Sequence, residues 1–149
     1  MNRLQLRFDP EDEWHGLLIA TVSSNGFEGR AAAWFATDEL RRFSTALTAY
    51  PLRGEALPHI SGGFFSEPGG PEPEQVHLSI DVAPHDVRGR LRVIVHLATE
   101  VRETQDNDLG CNATVRFVAT YSDIAPFGSA ISALAEGQVD EAVLQSSGE

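Results

Sequence analysis

The amino-acid sequence predicts an α+β fold in which an antiparallel sheet of about six strands carries two helices on one face. Two observations lead to this prediction. Several segments alternate apolar and polar residues, which is typical of strands that bury one side. Two other segments, at 39–50 and 123–134, space their apolar residues by three, four and three positions, which lines one side of a helix. We expect a single domain over residues 1–149, because domains commonly hold about 100–200 residues.

Three strands are expected before the first helix. Residues 3–8 alternate, and residues 16–22 are apolar on both faces, as in a central strand. The segment DPEDE at 9–13 separates them, because proline lacks a donor and the charges favour water. The turn residues 23–26 then lead into a third strand at 27–35.

The first helix is expected to begin at Thr37, whose hydroxyl can accept from free backbone amides, and to end before Pro51 and Gly54. Its apolar stripe consists of Leu40, Phe43, Leu47 and Tyr50.

The second half of the chain repeats this order. Strands are expected at 76–82, 90–97 and 112–121, followed by a helix that Ser122 or Asp123 caps and that ends at Gly137. The stripe of this helix consists of Ile124, Phe127, Ile131 and Leu134. In both helical segments an acidic residue comes first, Phe fifth and Ala eighth. This match indicates either a duplicated βββα unit or a coincidence between two amphipathic helices.

Residues 61–74 are rich in Gly and Pro and predict a long loop, and residues 145–149 predict a frayed C-terminal tail. Phe64 and Phe65, in that loop, either pack onto the body or lie exposed.

The strands at 76–82 and 90–97 are expected to form a hairpin. The register that gives them a common apolar face places Asp81 opposite Arg90, Ser79 opposite Arg92 and His77 opposite Ile94. In this register His77 faces solvent.

The formal net charge is -11, from 22 acidic and 11 basic residues. Such a surface repels phosphate backbones, which argues against nucleic acid as a partner, and attracts a basic protein. Every basic residue is Arg, so neither a lysine Schiff base nor a phosphate loop with its lysine can form.

Cys111 is the only cysteine, which excludes an intrachain disulfide and fits a reducing compartment. We expect a small, buried or half-buried thiol there. The N-terminus lacks the apolar core of a signal peptide, and no apolar run approaches the ~20 residues of a spanning helix. The sequence therefore predicts a cytoplasmic protein without membrane contact.

The residues give no sign of catalysis. The five histidines show no metal-ligand spacing, and no serine lies in a GxSxG motif. We assign no catalytic residue, no metal and no cofactor, and expect a non-enzymatic protein.

Acidic residues in predicted loops are the remaining feature, and they indicate either solubility or a docking surface for a basic protein. Trp14 either belongs to the core, which is the simpler interpretation, or anchors such a surface. The candidate partner-binding residues are Asp9, Glu11, Asp12, Glu13, Trp14, Glu100, Glu103, Asp106 and Asp108.

Several segments occur in an order that resembles the WapI-type immunity proteins, a family of small bacterial proteins. They read DEW (12–14), GFEGRAAAWF (26–35), DELRRFSTAL (38–47), GEALP (54–58) and RFVATYSDIAPFGSAISAL (116–134). The resemblance spans most of the chain, although the loop at 61–74 is longer than the family leads us to expect.

The resemblance implies an α+β protein that binds and neutralises a toxin domain made by the same cell. An acidic inhibitor of a basic nuclease could occupy its nucleic-acid groove as a charge mimic. The alternative is a structural domain that forms a homodimer. A third class, an enzyme or small-molecule-binding protein, would require a closed apolar pocket with an inward-facing histidine or carboxylate.

Overall fold

The structure, a computed structural model, describes residues 1–64, 74–101 and 108–147. Within these ranges the chain forms eight strands and two helices. In chain order they are β1 (Asn2–Pro10), β2 (His15–Ser24), β3 (Phe27–Ala36), α1 (Thr37–Leu47), β4 (His59–Phe64), β5 (Gln75–Pro84), β6 (Leu91–Ala98), β7 (Asn112–Ala119), α2 (Tyr121–Ala135) and β8 (Ala142–Ser146).

The strands form two antiparallel sheets of four strands each, so the predicted α+β class is confirmed and the predicted single sheet of about six strands is wrong. Sheet A has the order β3-β2-β1-β8, and sheet B has the order β4-β5-β6-β7. The two sheets are separate, and β3 packs across the face of sheet B. A Cβ atom on Gly29 of β3 would lie 2.7 Å from Leu97 of β6, and one on Gly62 of β4 would lie 2.8 Å from Phe35 of β3.

The two helices pack against each other, with α2 also against β8 and β1 and α1 also against β3 and β4. Both predicted stripes are buried in one core together with the inner faces of the sheets, with the exception of Tyr50. Tyr50 is 79% exposed because α1 ends at Leu47, before the predicted stripe is complete.

The helix starts differ from the predicted caps. The backbone amide of Ala36 donates to Glu39 Oε1 at 3.0 Å, and Thr37 is the first helical residue. At α2, Thr120 is the N-cap instead of Ser122 or Asp123. The amide of Asp123 donates to Thr120 Oγ1 at 3.1 Å, and the amide of Thr120 donates to Asp123 Oδ2 at 2.9 Å. This reciprocal pair satisfies two donors that would otherwise lack helical partners.

Each half of the described chain has the element order βββαβ. The last strand of each half pairs with the first strand of the other half, β4 with β5 and β8 with β1. The predicted βββα order therefore occurs twice, with one further strand after each helix. A common origin of the two halves stays a prediction.

Two of these strands were not predicted. Residues 61–64 of the expected loop belong to β4, and residues 145–146 of the expected tail belong to β8. Both segments gain order from pairing with a neighbouring strand, which local composition does not reveal. The rest of the predicted loop, at 65–73 and including Phe65, and the tail residues 148–149 lie outside the described residues.

The β5–β6 hairpin has a different register from the predicted one. Asp81 lies opposite Ile94, four positions beyond the predicted Arg90, Ser79 lies opposite His96, and Arg92 lies opposite Ala83. A shift by an even number of residues keeps the same faces together, so alternation alone could not reveal it.

Because of this register, Asp81 and Arg90 do not pair with each other as predicted, and each has another partner. Asp81 Oδ1 lies 2.5 Å from His59 Nδ1, and Arg90 Nε donates to Asp86 Oδ2 at 2.5 Å. The prediction that His77 faces solvent is also wrong. His77 is 5% exposed, and its ring packs edge-on against Phe64 with the centroids 4.8 Å apart.

Candidate functional site

The loop between β1 and β2 is held by the carboxylate of Asp12. Asp12 Oδ1 accepts hydrogen bonds from the backbone amides of Trp14, at 2.8 Å, and His15, at 3.0 Å. The amide of Glu11 also donates to the carbonyl oxygen of His15 at 3.0 Å. The hydrogen bond from Trp14, followed by those from His15, lowers the pKa of Asp12 below its ordinary value of 3.8. The loop therefore presents a negative charge in a defined position at neutral pH.

His15 lies between two of the predicted carboxylates. Its Nε2 is 2.7 Å from Glu11 Oε2, and its Nδ1 is 3.0 Å from Asp12 Oδ1. All three side chains are accessible to solvent. These contacts order the acidic loop against the start of β2 without covering its carboxylates.

Trp14 is 72% exposed, so the simpler expectation, a core role, is wrong. Its backbone holds it in place, because the amide of Thr37 donates to the carbonyl oxygen of Trp14 at 2.8 Å and so ties the loop to the start of α1. The indole itself projects from an anchored main chain into solvent. An exposed aromatic ring on an ordered backbone can enter a partner's pocket at a small cost in conformational entropy.

A second tryptophan lies on the same side of the molecule. Trp34 is 54% exposed on the outer face of sheet A, with its ring centroid 6.0 Å from that of His15. Strand pairing sets Asp9, Leu17 and Trp34 in one row across β1, β2 and β3. Neighbouring strands lie about 4.8 Å apart, so this row spans roughly 10 Å.

These side chains form one continuous surface, which we call the acidic aromatic surface. It consists of Asp9, Glu11, Asp12, Glu13, Trp14, His15 and Trp34.

The second predicted acidic group does not join this surface. Glu100 and Asp108 lie between β6 and β7, and the described residues next to them, Thr99 and Cys111, lie beside the start of β3. The acidic loop lies at the other end of β2, a strand of 10 residues that is roughly 30 Å long. Glu103 and Asp106 lie outside the described residues.

Cys111 belongs to the same end of the molecule as Glu100 and Asp108. It is exposed, so the expectation of a buried or half-buried thiol is wrong. Its Sγ lies 3.9 Å from the carbonyl oxygen of Leu109, and its backbone amide donates to Thr99 Oγ1 at 2.9 Å.

Comparison of the chain with protein-family models, curated proteins and solved structures found no match. The resemblance to WapI-type immunity proteins therefore stays a prediction. Within the described ranges, no helix has the length and apolar character needed to cross a membrane. The same residues contain no group of three or more His, Cys, Asp or Glu side chains placed to hold a metal ion.

The connection between α2 and β8 adds carboxylates that the sequence interpretation missed. A cavity of about 580 Å³ is lined by Asp9 and Pro10 from β1, by Val139 and Asp140 from this connection, and by the arginines Arg7 and Arg30. Asp140 thus shares a wall with the acidic aromatic surface. The signal was present in residues 136–141, which hold three acidic residues in six positions, but only the fold shows that Asp140 adjoins β1.

One salt bridge, from Arg41 to Glu136, links α1 to the end of α2. Arg41 Nε donates to Glu136 Oε1 at 2.7 Å, and its Nη1 donates to Asp38 Oδ1 at 2.8 Å. The hydrogen bonds that Arg41 donates to Glu136 and, to a smaller extent, to Asp38 raise the pKa of Arg41 above its ordinary value. One arginine therefore neutralises part of the charge next to the surface and fixes the end of α2.

The larger cavity, of about 810 Å³, lies between α1 and β4. The histidine on its wall is His59, which is paired with Asp81. The buried His77 lines neither this cavity nor the one beside Asp9. His77 Nε2 instead forms a hydrogen bond with Gln75 Oε1. This arrangement supplies no nucleophile and base aimed at a common point, and we assign no reaction to it.

Proposed function

We propose that the chain is a non-enzymatic binding protein that docks a basic partner protein on the acidic aromatic surface. The observation that carries this proposal is the exposure of Trp14, at 72%, on a loop whose carboxylates are held by hydrogen bonds. Tryptophan is among the residues that contribute most to protein interfaces, and fixed carboxylates accelerate the encounter with a basic surface.

The two parts of the surface have different tasks in this proposal. The charges of Glu11, Asp12 and Glu13, which are part of the net charge of -11, attract the partner over a distance of about a Debye length. Trp14 and Trp34 then bury apolar area and slow dissociation. Charge thus governs association and the indoles govern residence time.

The resemblance to WapI-type immunity proteins supports a partner of a particular class, a toxin domain made by the same cell. A nuclease toxin carries a basic groove for its nucleic acid, and a row of carboxylates can occupy such a groove in place of phosphates. A cytoplasmic location belongs to the same proposal, since the lone Cys111 fits a reducing compartment.

The test begins with capture of partners from the native cell at low salt, followed by purification of the captured protein. We expect a basic protein whose affinity for the chain falls about tenfold or more with Trp14→Ala, as for an interface hot spot. Phe27→Ala is the matched control, because Phe27 is also 72% exposed but lies at the opposite end of sheet A. Equal effects of the two substitutions would contradict the proposal.

The charge is tested with the same purified partner. Glu11→Gln combined with Glu13→Gln is expected to slow association and to reduce its salt dependence, with little change in dissociation. Asp108→Asn, at the other end of the molecule, is expected to leave both rates unchanged. An association rate that does not depend on the salt concentration would argue against a charge-driven encounter.

A homodimer is the second candidate, and one observation favours it. The outer face of sheet A carries Leu17, Ile19 and Ala32 beside Trp34, and such a face can pair with its own copy. Light scattering at low and high salt separates the two candidates, because an apolar self-interface survives salt that weakens a charge-driven complex. A salt-resistant dimer abolished by Trp34→Ala would favour the homodimer.

A further inference from the structure

A groove lies between α1 and β4, away from the acidic aromatic surface. It has a volume of about 810 Å³, and apolar side chains from the helix, the following connection and β4 line it, among them Phe43, Leu57 and Ile60. Phe43 and Ile60 belong to the core, so the base of the groove is rigid.

The groove runs along the edge of β4. Three consecutive residues, His59, Ile60 and Ser61, line it. Successive side chains of a strand point to opposite faces, so a groove that touches all three passes along the edge of the strand. The groove also extends from this edge onto β5, where Val76 and Ser79 line it. β4 pairs only with β5, and it forms the outer edge of sheet B as described.

The backbone of this edge offers hydrogen bonds to the groove. The amide of Val82 donates to the carbonyl oxygen of Pro58 at 3.1 Å. In an antiparallel pair, residues that bond to the partner alternate with residues that do not. Ile60 and its neighbours at two-residue steps therefore bond to β5, and the amides and carbonyls of His59 and Ser61 point outward.

The rim of the groove carries one arginine without a partner. Arg42 is exposed, and it makes no hydrogen bond or ion pair with any described residue. The adjacent Arg41 is held by two carboxylates. Glu39, on the same rim, uses one carboxylate oxygen to accept from the amide of Ala36. The groove thus combines strand donors and acceptors that point away from β5, an apolar base and a guanidinium that pairs with none of the described residues.

We infer that this groove binds an extended acidic segment of another polypeptide, which adds to sheet B as a fifth strand along β4. Main-chain hydrogen bonds to His59 and Ser61 supply the pairing, an apolar side chain of the segment lies over Phe43, and a carboxylate meets Arg42. The pairing register of β4 with β5 shifts between Gly62 and Gly63, where β5 has one extra residue. We therefore expect the added strand to pair along the regular part of β4 before this shift, about four residues. The site is independent of the proposed docking surface.

The probe is a phage-displayed library of random nine-residue peptides, selected on the purified full chain. We expect enriched peptides to share an acidic residue and one apolar residue at a fixed spacing. Synthetic copies of these peptides supply the binding measurements that follow. A library that yields no binder would overturn the inference.

Two charge reversals locate the binding site. Arg42→Glu is expected to lower the affinity for the enriched peptides by roughly fivefold or more, since an exposed ion pair becomes a repulsion. Arg116→Glu is the matched control, because Arg116 is exposed on β7 at the opposite edge of sheet B. Trp14→Ala is also expected to leave the affinity for the peptides unchanged. Peptides that respond to Arg116→Glu or Trp14→Ala instead bind elsewhere and contradict the inference.

Backbone hydrogen exchange distinguishes strand addition from side-chain contact alone. The amides of His59 and Ser61 are expected to exchange quickly in the free protein and to become protected when peptide binds. N-methylation of the peptide at alternate positions should abolish binding for one set of positions and spare the other, because only one set faces β4. Unprotected amides in a saturated complex would overturn the proposed strand.

Discussion

Ser44 Oγ donates a hydrogen bond of 2.7 Å to the carbonyl oxygen of Gly128, and both residues are buried where α1 meets α2. Each residue follows the buried phenylalanine of its helix, Phe43 or Phe127. The two helices therefore meet at matching positions of the two βββαβ halves. Small side chains there let the backbones approach closely enough for a side chain on one helix to reach the main chain of the other.

We predict that Gly128→Ala destabilises the fold, although alanine favours a helix by about 1 kcal/mol over glycine. A Cβ atom at Gly128 would lie 3.0 Å from Leu47 Cβ and 3.2 Å from the carbonyl oxygen of Ser44, both in the opposite helix. Overpacking of this kind costs about 1–3 kcal/mol, so we expect a net loss in the free energy of unfolding measured by denaturant titration. Ser129→Ala, at an exposed position of α2, should be neutral or slightly stabilising. A higher free energy of unfolding in Gly128→Ala would contradict the prediction, because it would show that the two helices accommodate the added methyl group without a net cost.

We predict that Ser146→Ala destabilises the protein by about 1–3 kcal/mol. Ser146 Oγ donates to the carbonyl oxygen of Val118 at 2.7 Å and accepts from Asn2 Nδ2 at 3.1 Å, and so connects β8 with β7 and β1. Loss of the hydroxyl removes both bonds from a buried position. Gln145→Ala changes an exposed side chain of the same strand and should have little effect. Equal midpoints for the two variants in denaturant would contradict the structural role of this hydroxyl.

We predict that His77 makes the protein less stable as the pH falls. Burial lowers the pKa of His77 below its ordinary value of 6.5, and the negative charge of Glu100 opposes this shift only in part. The unfolded chain therefore binds the proton more readily, and stability decreases as the pH drops below 6.5 toward the lowered folded pKa. His77→Gln should flatten this part of the stability profile. The profile is measured by thermal denaturation across pH, together with a nuclear magnetic resonance titration of the imidazole. An unchanged profile in the variant would contradict the prediction.

Periodicity predicted six of the eight strands and both helices of the described chain, because each of these elements carries its own apolar pattern. The hairpin expected from the short loop between β5 and β6 is confirmed, but periodicity could not predict the other strand neighbours. β8 pairs with β1 through Leu144 and Leu4, and no local feature of either segment specifies the other. The single predicted sheet failed for this reason, since alternation fixes the buried face of a strand and not its partner.

For the residues of the candidate site, too, the sequence predicted some properties and not others. The acidic character of residues 9–13 was evident from the sequence, but the exposure of Trp14 was not, because an indole suits a core and an interface equally well. His77 escaped prediction because the register of β4 and β5 shifts between Gly62 and Gly63, where the strict alternation of β5 breaks down and His77 and Leu78 are both buried. Irregular pairing depends on the neighbouring strand, which a reading of β5 alone does not include.

The pairing of Asn2 with Ser146 joins residues 144 positions apart. A ribosome releases β1 long before it has made β8, so β1 waits for its second neighbour while every element between them is synthesised. Until then the nascent chain exposes an incomplete sheet A and a helix, α2, with one side uncovered. We therefore expect stable folding only after the last strand has left the exit tunnel, so that truncated translation products would be substrates for chaperones and proteases.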